Sequence, residues 1–219
     1  MQSNLSAHIQ TIILQVDEQL NSIQHMQSGS TACMCVIHNN KLVVANIGDS
    51  VAFLCREAKA LDLTVSHKPS IKEEKERIEA CGGRVSCELD GVARVNERLA
   101  MSRALGDFSF RKYGVISEPD VGVFELTEKD CFLVLGTDGV FDMITSAQAC
   151  AVVNSCEDPE EGAQELVSLA AQLGSHDNAS AVVVRLEGWG LYENPDDVRL
   201  RAQAYSYNRG GRFRSLSHI

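Results

Sequence analysis

Positive charge is missing from the start of this 219-residue chain: no Lys or Arg precedes Lys41. Residues 1–40 therefore read as neither a signal peptide with a charged n-region nor an Arg-rich transit peptide. Long apolar runs are missing too. The longest, such as Cys131–Leu135, fall far short of the roughly 20 residues a bilayer demands, which excludes a membrane-spanning helix. Lys plus Arg number 20 against 30 Asp plus Glu, a net charge of −10, so nucleic acid and anionic membrane are poor non-specific partners. No Gly-x-Ser-x-Gly segment and no Cys/His nucleophile signature occur, which leaves a metal-independent hydrolase without support.

Zinc-type spacing is also absent. The cysteines stand at Cys33, Cys35, Cys55, Cys81, Cys87, Cys131, Cys150 and Cys156; Cys33-x-Cys35 follows strand alternation, and no partner pair comes after it. They read as buried reduced thiols in a reducing compartment. What remains is a globular composition, 44% hydrophobic, with room for one ordinary domain.

Leu5, Ile9, Ile12, Ile13, Val16, Leu20 and Ile23 recur in steps of three and four, which predicts an amphipathic helix over 5–23. β-rich segments follow at 31–37, 41–47 and 51–55, the first two joined by a tight turn at Asn39-Asn40. Residues 70–80 read as a charged surface helix stopped by Gly82-Gly83. Further strands are expected at 121–126, 131–136 and 180–186, and helices at 146–154 and 159–173, the latter opened by Asp158-Pro159. Few helices among many strands predict an α+β layered fold. After Asp197 the chain carries Arg199, Arg201, Arg209, Arg212 and Arg214 and no acid. Residues 191–219 therefore read as a basic, flexible tail behind a domain at 1–190.

Three aspartates stand out because each adjoins an apolar strand. Asp49 follows Ala45-Asn46-Ile47-Gly48, Asp138 ends the run Phe132–Thr137, and Asp177 precedes the last strand. Carboxylates gathered at strand ends suit Mg²⁺ or Mn²⁺, which take oxygen ligands and keep several waters. Taken singly, each is equally ordinary turn chemistry, since Asp before Gly or Asn caps turns.

The chain resembles the metal-dependent type 2C serine/threonine protein phosphatases. The resemblance is carried in order by Gly29-Ser30-Thr31-Ala32, ANIGDS at 45–50, SHKP at 66–69, EKERIEACGGRV at 74–85 and RVNERLAMSRALGD at 94–107. Ser117-Glu118-Pro119, LGTDGVFDM at 135–143 and HDNAS at 176–180 complete it. KEEKERIEACGG, FLVLGTDG and GWGLYENPDD at 188–197 look like the mitochondrial subtype that acts on the branched-chain α-ketoacid dehydrogenase complex. The resemblance implies an antiparallel β-sandwich flanked by helices, two Mn²⁺ or Mg²⁺ ions, and a metal-activated water that hydrolyses phosphoserine or phosphothreonine in a protein substrate. By the same resemblance Asp138 and Asp177 are metal ligands, and Asp49 with Asp142 belongs to a weaker third position. Arg94 and Arg103 either face the substrate phosphate or pair with core carboxylates; Thr31 and Ser102 are framework positions.

The family's acidic first motif and its Asp-Gly-His-Gly-Gly segment do not occur in these 219 residues, so no catalytic general acid is identifiable; His176 reads as a surface turn residue. Two cations about 3.5–4 Å apart need a bridging carboxylate, and Asp138 with Asp177 alone suits one weakly held ion. The expectation is a domain incomplete at its N-terminal side, with the alternative of a non-catalytic binding or regulatory protein. Location follows the subtype, the mitochondrial matrix, or the cytosol if this form lacks a transit peptide.

Overall fold

The protein is described by a computed structural model over residues 2–23, 27–87 and 91–206. In chain order the elements are α1 (Gln2–Asn21), β1 (Gly29–Ser30), β2 (Ala32–His38), β3 (Lys41–Ile47), β4 (Val51–Arg56), β5 (Lys59–Asp62) and α2 (Lys72–Ala80). Then come β6 (Val85–Cys87), β7 (Ala93–Val95), β8 (Leu105–Gly106), a 3-10 turn (Phe108–Tyr113), β9 (Asp120–Glu125) and β10 (Asp130–Gly136). Helices α3 (Asp138–Phe141), α4 (Ser146–Val153) and α5 (Pro159–Gln172), strand β11 (Ala181–Arg185) and helix α6 (Asp197–Ser206) complete the order. No helix among the described residues is long and apolar enough to cross a membrane. Helices with antiparallel ladders make the chain α+β, as expected.

Two compact units divide the chain. The first comprises Met1–Ala52 with Asp62–Thr127. Its main sheet has the order β2-β3-β9. Asn39 and Asn40 both adopt positive φ (49° and 56°), the tight turn their amide side chains tolerate. Strand β3 is buried on both faces: Val43, Ala45 and Ile47 pack under Ile9 and Ile13 of α1, which explains the helical spacing of the N-terminal apolar residues. Asp17 of α1 accepts from Gly106 N–H (2.8 Å) and from Arg111 (2.7 Å), tying the helix to β8. A smaller cluster of Ile78, Val95 and Val115 lies beneath α2.

The second unit comprises Phe53–Leu61 with Glu128–Ile219. Its sheet has the order β11-β10-β4-β5, and β10 is the buried strand its unbroken apolar run implies. Phe53, Phe132, Leu166 and Leu169 fill the core beneath α4 and α5, each burial contributing about 1.5–3 kcal/mol of transfer free energy. Helix α4 opens on a Thr145/Gln148 capping box, and α5 on Asp158 with Pro159 in its first turn, as the sequence signals. Buried Asp130 at the start of β10 is paired with Arg56 (2.6 Å).

Two expectations need correction. Residues 191–206 are not a loose tail: they carry α6, whose Ala204 is buried in the core cluster and whose Tyr205 donates to Glu165 (2.9 Å). Arg199 on the same helix stays exposed while Ala204 buries. The rest of the expected tail, 207–219, lies outside the described residues. Nor are all eight thiols buried: Cys81 and Cys87 are exposed, whereas Cys55, Cys131 and Cys150 are buried. The first two sit where a helix ends and a three-residue strand ends, positions with no core behind them. Burial pushes the half-buried Cys33, Cys35 and Cys156 thiols up to about 11, 12 and 11. Ellman's reagent at neutral pH is therefore expected to label Cys81 and Cys87 first, with Cys55, Cys131 and Cys150 reacting only after denaturation.

Candidate metal centre

Strand β10 delivers Asp138 to the end of the second unit's sheet. Gly136 pairs with Ala181, so the chain just beyond β10 lies beside the chain just before β11. Thr137 locks the junction. Its N–H donates to Ser180 O (3.1 Å), its hydroxyl donates to Asn178 O (3.3 Å), and it accepts from Ser180 N–H (3.1 Å). Asp138 then opens α3 and Asp177 stands in the facing turn, each carboxylate accepting from the next residue's N–H (2.8 and 2.7 Å). The two aspartates thus occupy the same end of two paired strands, 39 positions apart in sequence. Ser175 donates to Gly139 O (2.8 Å), and a Cβ on Gly139 would lie 2.5 Å from Asn178 O. Only glycine allows the two turns to approach so closely. Asp142 is exposed at the end of α3, its N–H donating to Asp138 O (2.8 Å).

Asp49 belongs to the first unit. Its turn requires Gly48, which has φ +92° and would place a Cβ 2.3 Å from Thr31 Cγ2. His67 clamps that turn from both sides: Gly48 N–H donates to its Nδ1 (3.0 Å), and its own N–H donates to Gly48 O (2.9 Å). With Nδ1 an acceptor, the ring carries its proton on Nε2, which donates to Asp120 (3.1 Å). Burial of the ring holds its pKa below the ordinary imidazole value, the Asp120 carboxylate pulling only partly the other way. Thr31 and Ser50 hydroxyls meet at 3.1 Å, which gives Thr31 the framework role expected of it.

Arg103 pairs with carboxylates. It donates to Glu74 (2.8 Å), Asp120 (2.8 Å) and Glu118 O (3.1 Å). Glu74, nearly fully buried, also accepts from both Arg77 terminal nitrogens (2.6 and 2.7 Å) and from the Ser102 hydroxyl. Burial raises the Glu74 carboxyl, but these donors outweigh it and hold the group well below the usual carboxylate range. Arg94, on β7, donates to Val92 O (3.4 Å). Sequence reasoning missed Glu74, His67 and Asp120 as a network; Glu74 and His67 lay inside quoted motifs and Asp120 directly follows one, but nothing in spacing says that residues 28 to 53 positions apart will meet.

Among the described residues no three His, Cys, Asp or Glu side chains gather as a metal cage. The carboxylates of Asp138 and Asp177 at that strand end are hard oxygen donors, the chemistry that suits Mn²⁺ or Mg²⁺ completed by water.

The protein phosphatase 2C family model matches residues 2–179. The mitochondrial protein phosphatase 1K of Xenopus laevis is 41% identical over 184 residues, 83% of this chain and 48% of its own length. The probable protein phosphatase 2C 59 of Arabidopsis thaliana is 40% identical over 162 residues, 74% of this chain and 51% of its own. Among solved structures, serine-threonine phosphatase 2C from Toxoplasma gondii superposes with a TM-score of 0.67 at 27% identity, over 84% of this chain and 64% of that one. A C. elegans sex-determining protein gives 0.70 at 25%, over 90% and 48%. The chain spans about half the length of the curated relatives it matches. Matched over most of its length by the family model, and 41% identical over 83% of its length to a relative of that family, it belongs to the protein phosphatase 2C family.

Proposed function

We propose that this chain supplies the Asp138–Asp177 part of a Mn²⁺- or Mg²⁺-dependent phosphoserine/phosphothreonine phosphatase site. The observation that carries this reading is the hydrogen-bonded junction around Thr137, which holds both aspartates at one end of β10 and β11. When bound, the metal would polarise a water and the phosphate it attacks. Asp138 and Asp177 would be its oxygen ligands. The substrate class is a phosphorylated protein, and similarity to a mitochondrial phosphatase supports a mitochondrial location. The motifs shared with the branched-chain subtype support the branched-chain α-ketoacid dehydrogenase complex as substrate.

Hydrolysis of p-nitrophenyl phosphate by the purified chain in millimolar Mn²⁺ tests the reading, with a chelator and Asp138→Asn as controls. Turnover abolished by both supports it. A folded chain without turnover supports the second reading, a non-catalytic binding protein. Turnover that survives Asp138→Asn contradicts the assignment of that residue.

A further inference from the structure

The 3-10 turn Phe108–Tyr113 of the first unit repeats every three residues, so Ser109 and Lys112 share one side and Phe110 and Tyr113 the next. Both rings pack against the Ile78, Val95 and Val115 cluster, which fixes them. Arg111 between them is committed to Asp17 (2.7 Å), Ala104 O (3.0 Å) and Gly106 O (3.0 Å), which holds the turn in place.

The loop after β7 is equally fixed. Val95 N–H donates to Leu99 O (2.8 Å), and Asn96 and Glu97 inside that loop take positive φ (50° and 63°). Asn96 N–H donates to Arg84 O (2.8 Å) and its Oδ1 accepts from Arg84 N–H (2.9 Å), which leaves its Nδ2 without a partner among the described residues. Glu97 pairs with Arg84 (3.7 Å), whereas Arg98 lies over the Phe110 ring (5.9 Å) and Lys112 over the Tyr113 ring (4.9 Å).

Loop and turn enclose a pocket of about 240 Å³ lined by Asn96, Arg98, Ser109, Phe110, Lys112 and Tyr113. Among the described residues no acid lines it, and neither Arg98 nor Lys112, both exposed, meets a carboxylate. Two cations on one pocket repel each other, and an anion between them relieves the repulsion. Stacking on a ring uses the face of a guanidinium and leaves its N–H edge for two oxygens. The Ser109 hydroxyl and the Asn96 amide add neutral donors, a set that matches a phosphoryl group. The volume equals roughly eight waters, more than a bare phosphate fills, which leaves room for the carbons that carry it. With a cation over each ring, the pocket offers phosphotyrosine no open ring to stack on, so the short stem of phosphoserine or phosphothreonine fits better.

We propose that this pocket holds the phosphoryl group of a phosphoserine or phosphothreonine in a partner protein: Arg98 takes two phosphate oxygens, Lys112 pairs with the charge, and Ser109 and Asn96 donate to what remains. It is a recognition site, and it does not rest on the phosphatase reading, since it uses none of the aspartates of the metal centre.

The probe is acetyl-Ala-Ala-phosphoserine-Ala-Ala-amide, titrated into the ¹⁵N-labelled full chain in EDTA and followed by NMR, so binding is read without metal or turnover. Saturable amide shifts are expected at residues 96–98 and 109–113. Arg98→Gln and Lys112→Gln are each expected to weaken binding at least about fivefold, with an unchanged spectrum elsewhere as the check on folding. Lys72→Gln removes an equal charge from an exposed pair with Glu76 on α2 and is expected to leave affinity within about twofold. Inorganic phosphate is expected to bind at least about fivefold more weakly than the peptide. No saturable shift at the pocket with millimolar phosphopeptide would overturn the proposal, as would an equal loss in Lys72→Gln, which would make the effect one of bulk charge. Equal affinity for inorganic phosphate would also overturn it, leaving a site for the free ion only.

Discussion

Glu74→Ala is expected to lower the unfolding free energy by about 3 kcal/mol at pH 7. The carboxylate is 4% exposed and receives Arg77, Arg103 and the Ser102 hydroxyl together. Removing it leaves the Arg77 guanidinium, 25% exposed, without its anion and the Arg103 guanidinium, 16% exposed, with Asp120 as its remaining carboxylate. Breaking a buried pair from one side costs about 3–5 kcal/mol, and the partial exposure of both arginines puts this case at the low end. The same carboxylate sets a pH dependence. Its folded-state pKa is depressed below the ordinary 4.5, so on acidification the unfolded chain takes up the proton first. The stabilisation is complete above about pH 4.5 and is lost as pH falls further below it. Urea unfolding of wild type and Glu74→Ala at pH 7 and pH 4 is expected to show a gap that narrows towards acid. A gap under about 1 kcal/mol at pH 7, or one independent of pH, would contradict this account of the network.

Gly139→Ala is expected to weaken Mn²⁺ binding at least about tenfold while costing about 1–3 kcal/mol of stability. The added Cβ would sit 2.5 Å from Asn178 O and 3.1 Å from Ala179 Cα, backbone atoms that cannot rotate away, so the turn carrying Asp177 must shift relative to Asp138. Gly190→Ala is the matched control. It meets nothing within 4 Å but has φ +75°, so it costs about 1–2 kcal/mol through backbone strain and leaves Mn²⁺ affinity unchanged. Equal loss of affinity in both variants would show that general destabilisation, and not the approach of the two turns, controls the site.

These outcomes mark what the sequence discloses and what it conceals. The run Phe132–Gly136 declares a buried strand, and Thr137-Asp138-Gly139 declares the turn after it, because apolar continuity and turn chemistry are both local. Asn39-Asn40 and the Asp158-Pro159 helix start are legible for the same reason. Strands β1, β6, β7 and β8 are two or three residues long, too short for any periodicity to register. The contacts of Glu74 with Ser102 and Arg103, and of His67 with Asp120, are chosen by the tertiary fold, so their residues look like surface charges until it is known. Helix α6 was hidden by its arginines, which suggest a solvated tail although Ala204 is buried. Arg103 was ambiguous in sequence because the same guanidinium chemistry serves a phosphate or a carboxylate.

The most direct test of the central claim is Mn²⁺ binding by the wild-type chain, Asp138→Asn and Asp177→Asn, followed by EPR with circular dichroism as the check on folding. The account predicts one weakly bound Mn²⁺ per wild-type chain whose affinity falls at least about tenfold in each variant, since each removes one of two anionic ligands. Undiminished binding in both folded variants would place the metal elsewhere and contradict the assignment of β10 and β11 as its scaffold.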